Sequence, residues 1–265
     1  MITLTGSEGF IGSAIKTVLP ISKSIDLKLG LDYGSISLSE GVLIHCGATA
    51  NVVDAENNKE QAYENNVKKT IKLLENNNWD RLIFFSSAAA NNASGSYYGY
   101  TKLTIEEYIK SNIQNYTIVR PYNVVGYYPG IEQISPNNLI PSIKRNIINR
   151  TKMQVYGKGV IRDYIDVMDV AKTVQYIIKN DIKGCYDLCS GLGRTTESVL
   201  QDLCIDYEVM DTRIGDANKL IGRKYFETTV DWNTTIKCLK AYLNDYEYEY
   251  GHDLNMNMNM NMDMI

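Results

Sequence analysis

Thr5-Gly6-Ser7-Glu8-Gly9-Phe10-Ile11-Gly12 stands between a strand-like run, 2–5, and a helical stripe of Ile11, Ala14, Ile15 and Val18 that Pro20 closes. Glycines at 6, 9 and 12 permit a tight turn, close approach of backbone to a pyrophosphate, and close packing of helix on strand. The helix N-terminus adds N–H groups and a positive dipole for phosphate oxygens. The three-residue spacing differs from the usual dinucleotide fingerprint, so the strand–turn–helix setting carries the reading. Gly6, Gly9, Phe10, Ile11 and Gly12 are the expected cofactor-binding residues of this turn.

Outward from it, strand-like and helix-like patterns alternate, the signature of a parallel sheet with crossover helices. Strands are expected at 24–27, 42–45, 81–87, 116–120, 154–156 and 185–188, with a weak one near Leu31. Helices are expected at 98–109, 140–148, 169–179, 196–203 and 231–243, and Val67, Ile71 and Leu74 mark the buried stripe of another. The predicted fold is α/β, a Rossmann-like doubly wound parallel sheet with a small, mostly C-terminal substrate-binding lobe. Residues 1–122, completed by 154–190, form the expected dinucleotide-binding domain. Residues 123–153 and 191–250 form the lobe, and 251–265, an Asn-Met alternation of low complexity, a flexible tail.

The chain has 265 residues, 44% hydrophobic and 22% charged, enough to bury a sizeable core. Its 27 basic and 31 acidic residues give a net charge of −4, which argues against a phosphate-neutralising nucleic-acid surface. No apolar run approaches the roughly 18 residues of a membrane span, and with Met1 to Thr5 running straight into a strand-like segment no signal peptide is expected. Five cysteines, an odd and sparse set, read as reduced in a cytoplasmic protein. Cys185 and Cys189 have only two histidines in the chain as imidazole partners and sit in a strand-like run, so a core role is expected and no metal. Abundant Asn, Lys, Ile and Tyr give the impression of an AT-rich genome, such as a virus working in its host's cytoplasm.

Asp26 lies twenty residues after Gly6, where a carboxylate accepts from the adenosine ribose hydroxyls and repels a 2′-phosphate. It favours NAD, while neighbouring Lys28 leaves NADP as the alternative. Tyr98-Gly99-Tyr100-Thr101-Lys102 places a phenol and an ammonium at i, i+4 on one helical face. A tyrosine is a poor base at neutral pH until a nearby cation draws its pKa down. The spacing alone is common in a chain with 20 tyrosines. Order adds weight: glycine turn, then Phe85-Ser86-Ser87 ending a strand, then the tyrosine helix. Ligands of open α/β sheets bind at such strand ends, where Ser87 can hold a substrate oxygen and relay its proton to Tyr98.

With these motifs the chain resembles the extended short-chain dehydrogenase/reductase family (NAD-dependent epimerase/dehydratase), and within it the UDP-glucose 4-epimerase type. Further matches are Ile44-His45-Cys46-Gly47-Ala48, Asn66-Val67, Ser86-Ser87-Ala88, Arg120-Pro121-Tyr122-Asn123, Pro136-Asn137-Asn138-Leu139-Ile140-Pro141, the run 155–171 around Arg162-Asp163-Tyr164, and Arg213-Ile214-Gly215-Asp216. The resemblance implies Ser87, Tyr98 and Lys102 as catalytic residues, with Lys102 also holding the nicotinamide ribose. It adds Ala48, Asn66, Ser86 and Pro121 to the cofactor-binding set. It assigns Asn123, Asn138 and Leu139 to a sugar-nucleotide substrate, and Arg162 and Arg213 to its diphosphate, a task that suits bidentate guanidinium groups. Relatives often pair two helices into a dimer bundle, which here implies a homodimer through 62–75 and 98–111.

Departures from the pattern are informative. Only eleven residues separate Ser87 from Tyr98, and Asp166 stands where the epimerases commonly carry histidine. The family's 4,6-dehydratases place an acidic pair after the catalytic Ser/Thr; here Ala88 and Ala89 stand there, which argues against elimination. The expected function is therefore 4-epimerisation of a UDP-hexose through a transient 4-keto intermediate. A 4-keto-sugar-nucleotide reductase spending NAD(P)H uses the same residues and is the alternative. A catalytically silent dinucleotide-binding sensor or scaffold is the remote one, since it has no need of all three residues.

Overall fold

The computed structural model describes residues 1–38, 40–133, 135, 138–212 and 218–244. The chain opens with strand β1 (Ile2–Thr5), helix α1 (Phe10–Val18), and strands β2 (Lys23–Ile25) and β3 (Val42–His45). Helices α2 (Val52–Asn57), α3 (Lys59–Tyr63) and α4 (Lys69–Glu75), the last two joined by a π-helical turn, lead to β4 (Arg81–Phe85), α5 (Tyr97–Asn112) and β5 (Tyr116–Pro121). Then come β6 (Asn123–Val125), α6 (Leu139–Asn149), β7 (Met153–Tyr156), β8 (Ile161–Asp166), α7 (Val167–Lys179) and β9 (Gly184–Leu188). Strands β10 (Gly193–Thr195), β11 (Tyr207–Met210) and β12 (Lys219–Leu220), helix α8 (Thr196–Asp202) and a helix over 232–244 complete the described chain.

The central sheet runs β2-β1-β3-β4-β5-β9 with every pairing parallel. Its strands are apolar on both faces, as a sheet covered on both sides requires. Ile44, Ile83, Phe85 and Val119 face α1 and α7 in one buried cluster; the alternate residues Leu43, Leu82, Phe84 and Ile118 face α4 and α5 in another. Each fully buried aliphatic side chain contributes about 1.5–3 kcal/mol. The doubly wound parallel sheet expected from the alternating pattern is therefore present. After β2 the chain passes back across β1 to β3, so the strand order switches direction between β1 and β3, where Gly6 and Gly47 emerge side by side.

A second layer grows from β8, which pairs β6, β10 and β12. Beside it β7 and β11 form a two-stranded parallel ribbon. Ile140 and Ile143 of α6, Val199 and Leu200 of α8, and Leu239 and Leu243 of the last helix close a third apolar cluster over these strands.

Three expectations change. Strand β2 ends at Ile25 rather than residue 27, because the Asp26 carboxylate accepts from Lys28 N and caps a 3₁₀ turn, Leu27–Leu29. The weak strand near Leu31 gives way to this turn and a second at Tyr33–Ser35, capped by Asp32. Strands β6 and β8 lie in segments expected to be loop or left unassigned. The expected tail, 251–265, lies outside the described residues, as does Arg213.

Candidate active site

A cleft of about 1410 Å³ runs along the C-terminal ends of the sheet strands and under the second layer. That exceeds the roughly 300–1,000 Å³ of an ordinary small-molecule pocket and leaves room for two ligands end to end. Gly6, Gly9, Phe10, Ile11, Gly12 and Asp26 line one end. Ala48, Ser86, Ser87, Tyr98, Lys102 and Pro121 line the middle, and Asn123, Asn138, Leu139 and Arg162 the far side. Of the expected residues that are described, only Asn66 does not line it. Its amide is spent on the loop after β3, accepting from Thr49 N and donating to Thr49 O and to Thr101 Oγ1 of α5.

The glycine turn is closed to side chains. A Cβ at residue 12 would lie 2.1 Å from the Gly6 carbonyl oxygen. One at Gly6, where φ is +68°, would meet the Cys46 carbonyl carbon and Gly47 nitrogen at 2.8 Å. Helix α1 starts at Gly9 with no side-chain cap, so its first N–H groups face the cleft without a competing side chain. Asp26 is held there by two backbone donors, Glu8 N at 3.0 Å and Lys28 N at 2.9 Å. The Lys28 ammonium donates to the Glu8 carbonyl at 3.2 Å, and Glu8 pairs with Lys16.

At the centre, Ser87 caps the 3₁₀ segment Ala88–Gly95, accepting from Ala89 N at 3.2 Å. This segment packs directly under α5: a Cβ on Gly99 would lie 2.5 Å from the Ala89 carbonyl oxygen. That contact sets Tyr98 beside Ser87 despite the short connection. Lys102 Nζ donates to the Phe85 carbonyl at 2.9 Å and sits 5.9 Å from the Tyr98 ring centre. Burial pushes the Tyr98 phenol up to about 12, against the Ser87 hydrogen bond that draws it down. Burial also brings the Lys102 ammonium down to about 8. Behind them His45 is buried between Thr5, at 2.6 Å, and Thr70, at 3.0 Å, and burial drops it to about 3, so it is a neutral core residue.

The Lys102 value has a measurable consequence. Its folded pKa lies below the ordinary 10.5, so between about pH 8 and 10.5 the unfolded chain binds the extra proton and stability rises with pH. Lys102→Met should therefore raise Tm at pH 7 by roughly 3–6 °C, about 1.5 kcal/mol in a chain of this size. The gain should vanish as pH climbs through that window. Thermal unfolding of the ligand-free pair at several pH values checks this; a variant that melts lower at pH 7 refutes the buried cost.

The far side is organised by two aspartates. Asp163, fully buried, accepts from Ser190 N, Ser190 Oγ, Gly191 N and Gly222 N. Its backbone carbonyl takes the Asn123 amide at 3.0 Å. Asp166 caps α7 through Met168 N and accepts from Tyr128 and Thr235. Both carboxylates are thus committed to knitting loops, and Arg162 forms an ion pair with neither. The aspartate in place of the epimerases' histidine is a structural tie between α7, the loop after β6 and the last helix. Sequence reading missed the cleft residues Arg145 on α6, Lys152 in the connection after it and Tyr156 on β7; the basic residues in and after α6 were their one visible signal.

The family model described as "NAD dependent epimerase/dehydratase family" matches residues 38–188, more than half of the chain. The chain belongs to this family. The match begins after the glycine turn, which therefore stands on its own geometry. No curated protein sequence matches the chain. Among solved structures, UDP-N-acetylglucosamine 4-epimerase from Methanobrevibacter ruminantium, in complex with UDP-N-acetylmuramic acid, is similar with a TM-score of 0.74 and 22% identity over 92% of this chain and 96% of that one. UDP-glucose 4-epimerase from Thermus thermophilus with NAD gives 0.75 and 19% over 92% and 98%. UDP-glucuronic acid 4-epimerase from Bacillus cereus, with its substrate and NAD, gives 0.72 and 16% over 92% and 99%. At these identities the likeness is one of fold, and it extends over nearly the whole length of those family members.

Proposed function

We propose that the protein is an NAD-dependent 4-epimerase of a UDP-hexose. The observation that carries this is the convergence of Ser87, Tyr98 and Lys102 at the end of β4, in a cleft long enough for a dinucleotide and a sugar nucleotide, with Ala88 and Ala89 where elimination needs acids. Family membership and the UDP-sugar 4-epimerases of like fold support it.

The residues present fit NAD. The glycine cradle that a single Cβ would fill, and the uncapped start of α1, suit a pyrophosphate. Asp26 suits the adenosine ribose. Lys28, turned onto the Glu8 carbonyl, leaves that carboxylate to face a 2′-phosphate, which favours NAD over NADP. When bound, NAD supplies a reversible two-electron acceptor. Tyr98 takes the proton of the sugar's C4 hydroxyl and returns it to the opposite epimer. Ser87 holds the C4 oxygen and passes the proton, while Lys102 steadies the phenolate and the nicotinamide ribose. The second lobe grips the sugar nucleotide through Asn123, Asn138, Leu139 and Arg162, with Arg213 added from the sequence pattern.

Purified protein given UDP-galactose without added cofactor is expected to form UDP-glucose and to release NAD on denaturation. Absence of conversion, with stoichiometric NAD(P)H oxidation on a 4-keto sugar nucleotide, would instead identify a reductase.

A further inference from the structure

Beneath the catalytic residues, the same face of α5 carries a carboxylate that the reaction above does not use. Tyr98, Lys102 and Glu106 follow one another at four-residue intervals, and Glu106 is completely buried. Its Oε1 accepts from Ser86 Oγ at 2.6 Å and from Arg120 Nε at 2.7 Å. Its Oε2 accepts from the second Arg120 arm and from Lys110. Arg120 also donates to Asn91 Oδ1, at 2.6 Å, in the turn that joins Ser87 to Tyr98. Asn91 reaches on to the Tyr122 hydroxyl, which donates to Asp187 at 3.2 Å.

Resting on the epimerase reading, we infer that Glu106 is a positioning residue, fixing Ser87 against Tyr98 and Lys102 by gripping Ser86 directly and the 88–95 turn through Arg120 and Asn91. Packing does not account for it, since a buried ion pair is commonly no better than apolar residues of the same volume. A bidentate guanidinium–carboxylate pair does fix two planes relative to each other, and here those planes belong to β5 and α5. Ser86 turns its hydroxyl onto Glu106, so the alternation of the extended backbone projects its neighbour Ser87 to the other side. The groups around Lys102 Nζ are the Phe85 carbonyl, the Phe84 and Tyr98 rings, the Cys46 thiol, neutral His45 and Glu106. Of these Glu106 carries the charge that favours the ammonium. Breaking the grip therefore weakens both influences that favour the Tyr98 phenolate, the Ser87 hydrogen bond and the Lys102 charge.

The test uses the full chain with E106Q, R120M, R120K and N91A. Three readouts are needed: NAD affinity, kcat and KM for UDP-galactose, and Tyr98 ionisation in the NAD complex, read as the ultraviolet difference against Y98F in each background. E106Q and R120M should lose about tenfold or more in kcat, with KM and NAD affinity within about threefold. Tyr98 should ionise at higher pH in both. R120K should recover part of each loss, and N91A, altered at an exposed residue, should show a smaller loss of kcat with wild-type melting. Wild-type kcat and Tyr98 titration in whichever of these variants fold, or kcat lost only in step with NAD affinity and melting temperature, would overturn the inference. If the wild type does not convert UDP-galactose, the epimerase reading fails, and the Tyr98 titration in the NAD complex still decides the positioning role.

Discussion

Tyr98→Phe is expected to lower turnover about a thousandfold, within the range a positioned acid–base group supplies, while NAD affinity stays within about threefold. The phenol lies buried on α5, and the substitution removes one oxygen without changing the ring that fills the space. Fold and cofactor cradle should survive. The ligand-free phenol stands at about 12, too high for a base at neutral pH. With Lys102 already beside it in the ligand-free protein, the further fall must come with the bound cofactor, so the wild-type phenolate should appear at lower pH in the NAD complex than in the free protein. Single-turnover assays and calorimetric NAD titration check the two halves; undiminished turnover in the variant removes Tyr98 from the chemistry.

Gly12→Ala is expected to be the most damaging single-methyl change in the cofactor half. Its Cβ would sit 2.1 Å from the Gly6 carbonyl oxygen, and all three of its nearest contacts are backbone, so nothing flexible can yield. Either α1 lifts from β1 or the turn opens, and each outcome displaces the N–H groups meant for the pyrophosphate. NAD affinity should fall by about a hundredfold or more, well over 2 kcal/mol, and the protein should melt lower. By contrast Gly30→Ala, in a turn with open space around it, should bind NAD as the wild type does. NAD titration of the two variants is the check, and equal affinities would refute the steric account.

The sequence already revealed the features that depend on local pattern. The apolar strands β3, β4 and β5 and the glycine turn are readable because burial on both faces and a forbidden Cβ each leave a compositional mark. Tyr98 and Lys102 were legible from spacing and from their place after a strand ending in serine. Strand β8 was not, because Arg162, Asp163 and Asp166 break its apolar run, and the partners of the two aspartates are distant in sequence, at 190–191, 222 and, in the last helix, 235. Asn66 illustrates the converse: a residue matching the family's pattern acts here on the loop after β3 rather than on the cleft. Asp26 was read for the ribose, while its second task, ending β2 and starting a 3₁₀ turn, depends on a backbone bend that no periodicity records.

The packing of α1 against α7 in one cluster with β1 and β9 has a consequence for how the chain is made. Residues 10–18 leave the ribosome well before their cover: the surface over Ala14 and Ile15 includes Val167 to Ile177 and arrives only after some 150 further residues. Until then the nascent sheet has one bare face and lacks its β9 edge, a state prone to non-native association. A fragment cut at residue 122 would be frozen in that state, and it should gather in inclusion bodies or hold chaperones rather than fold as a free dinucleotide-binding module.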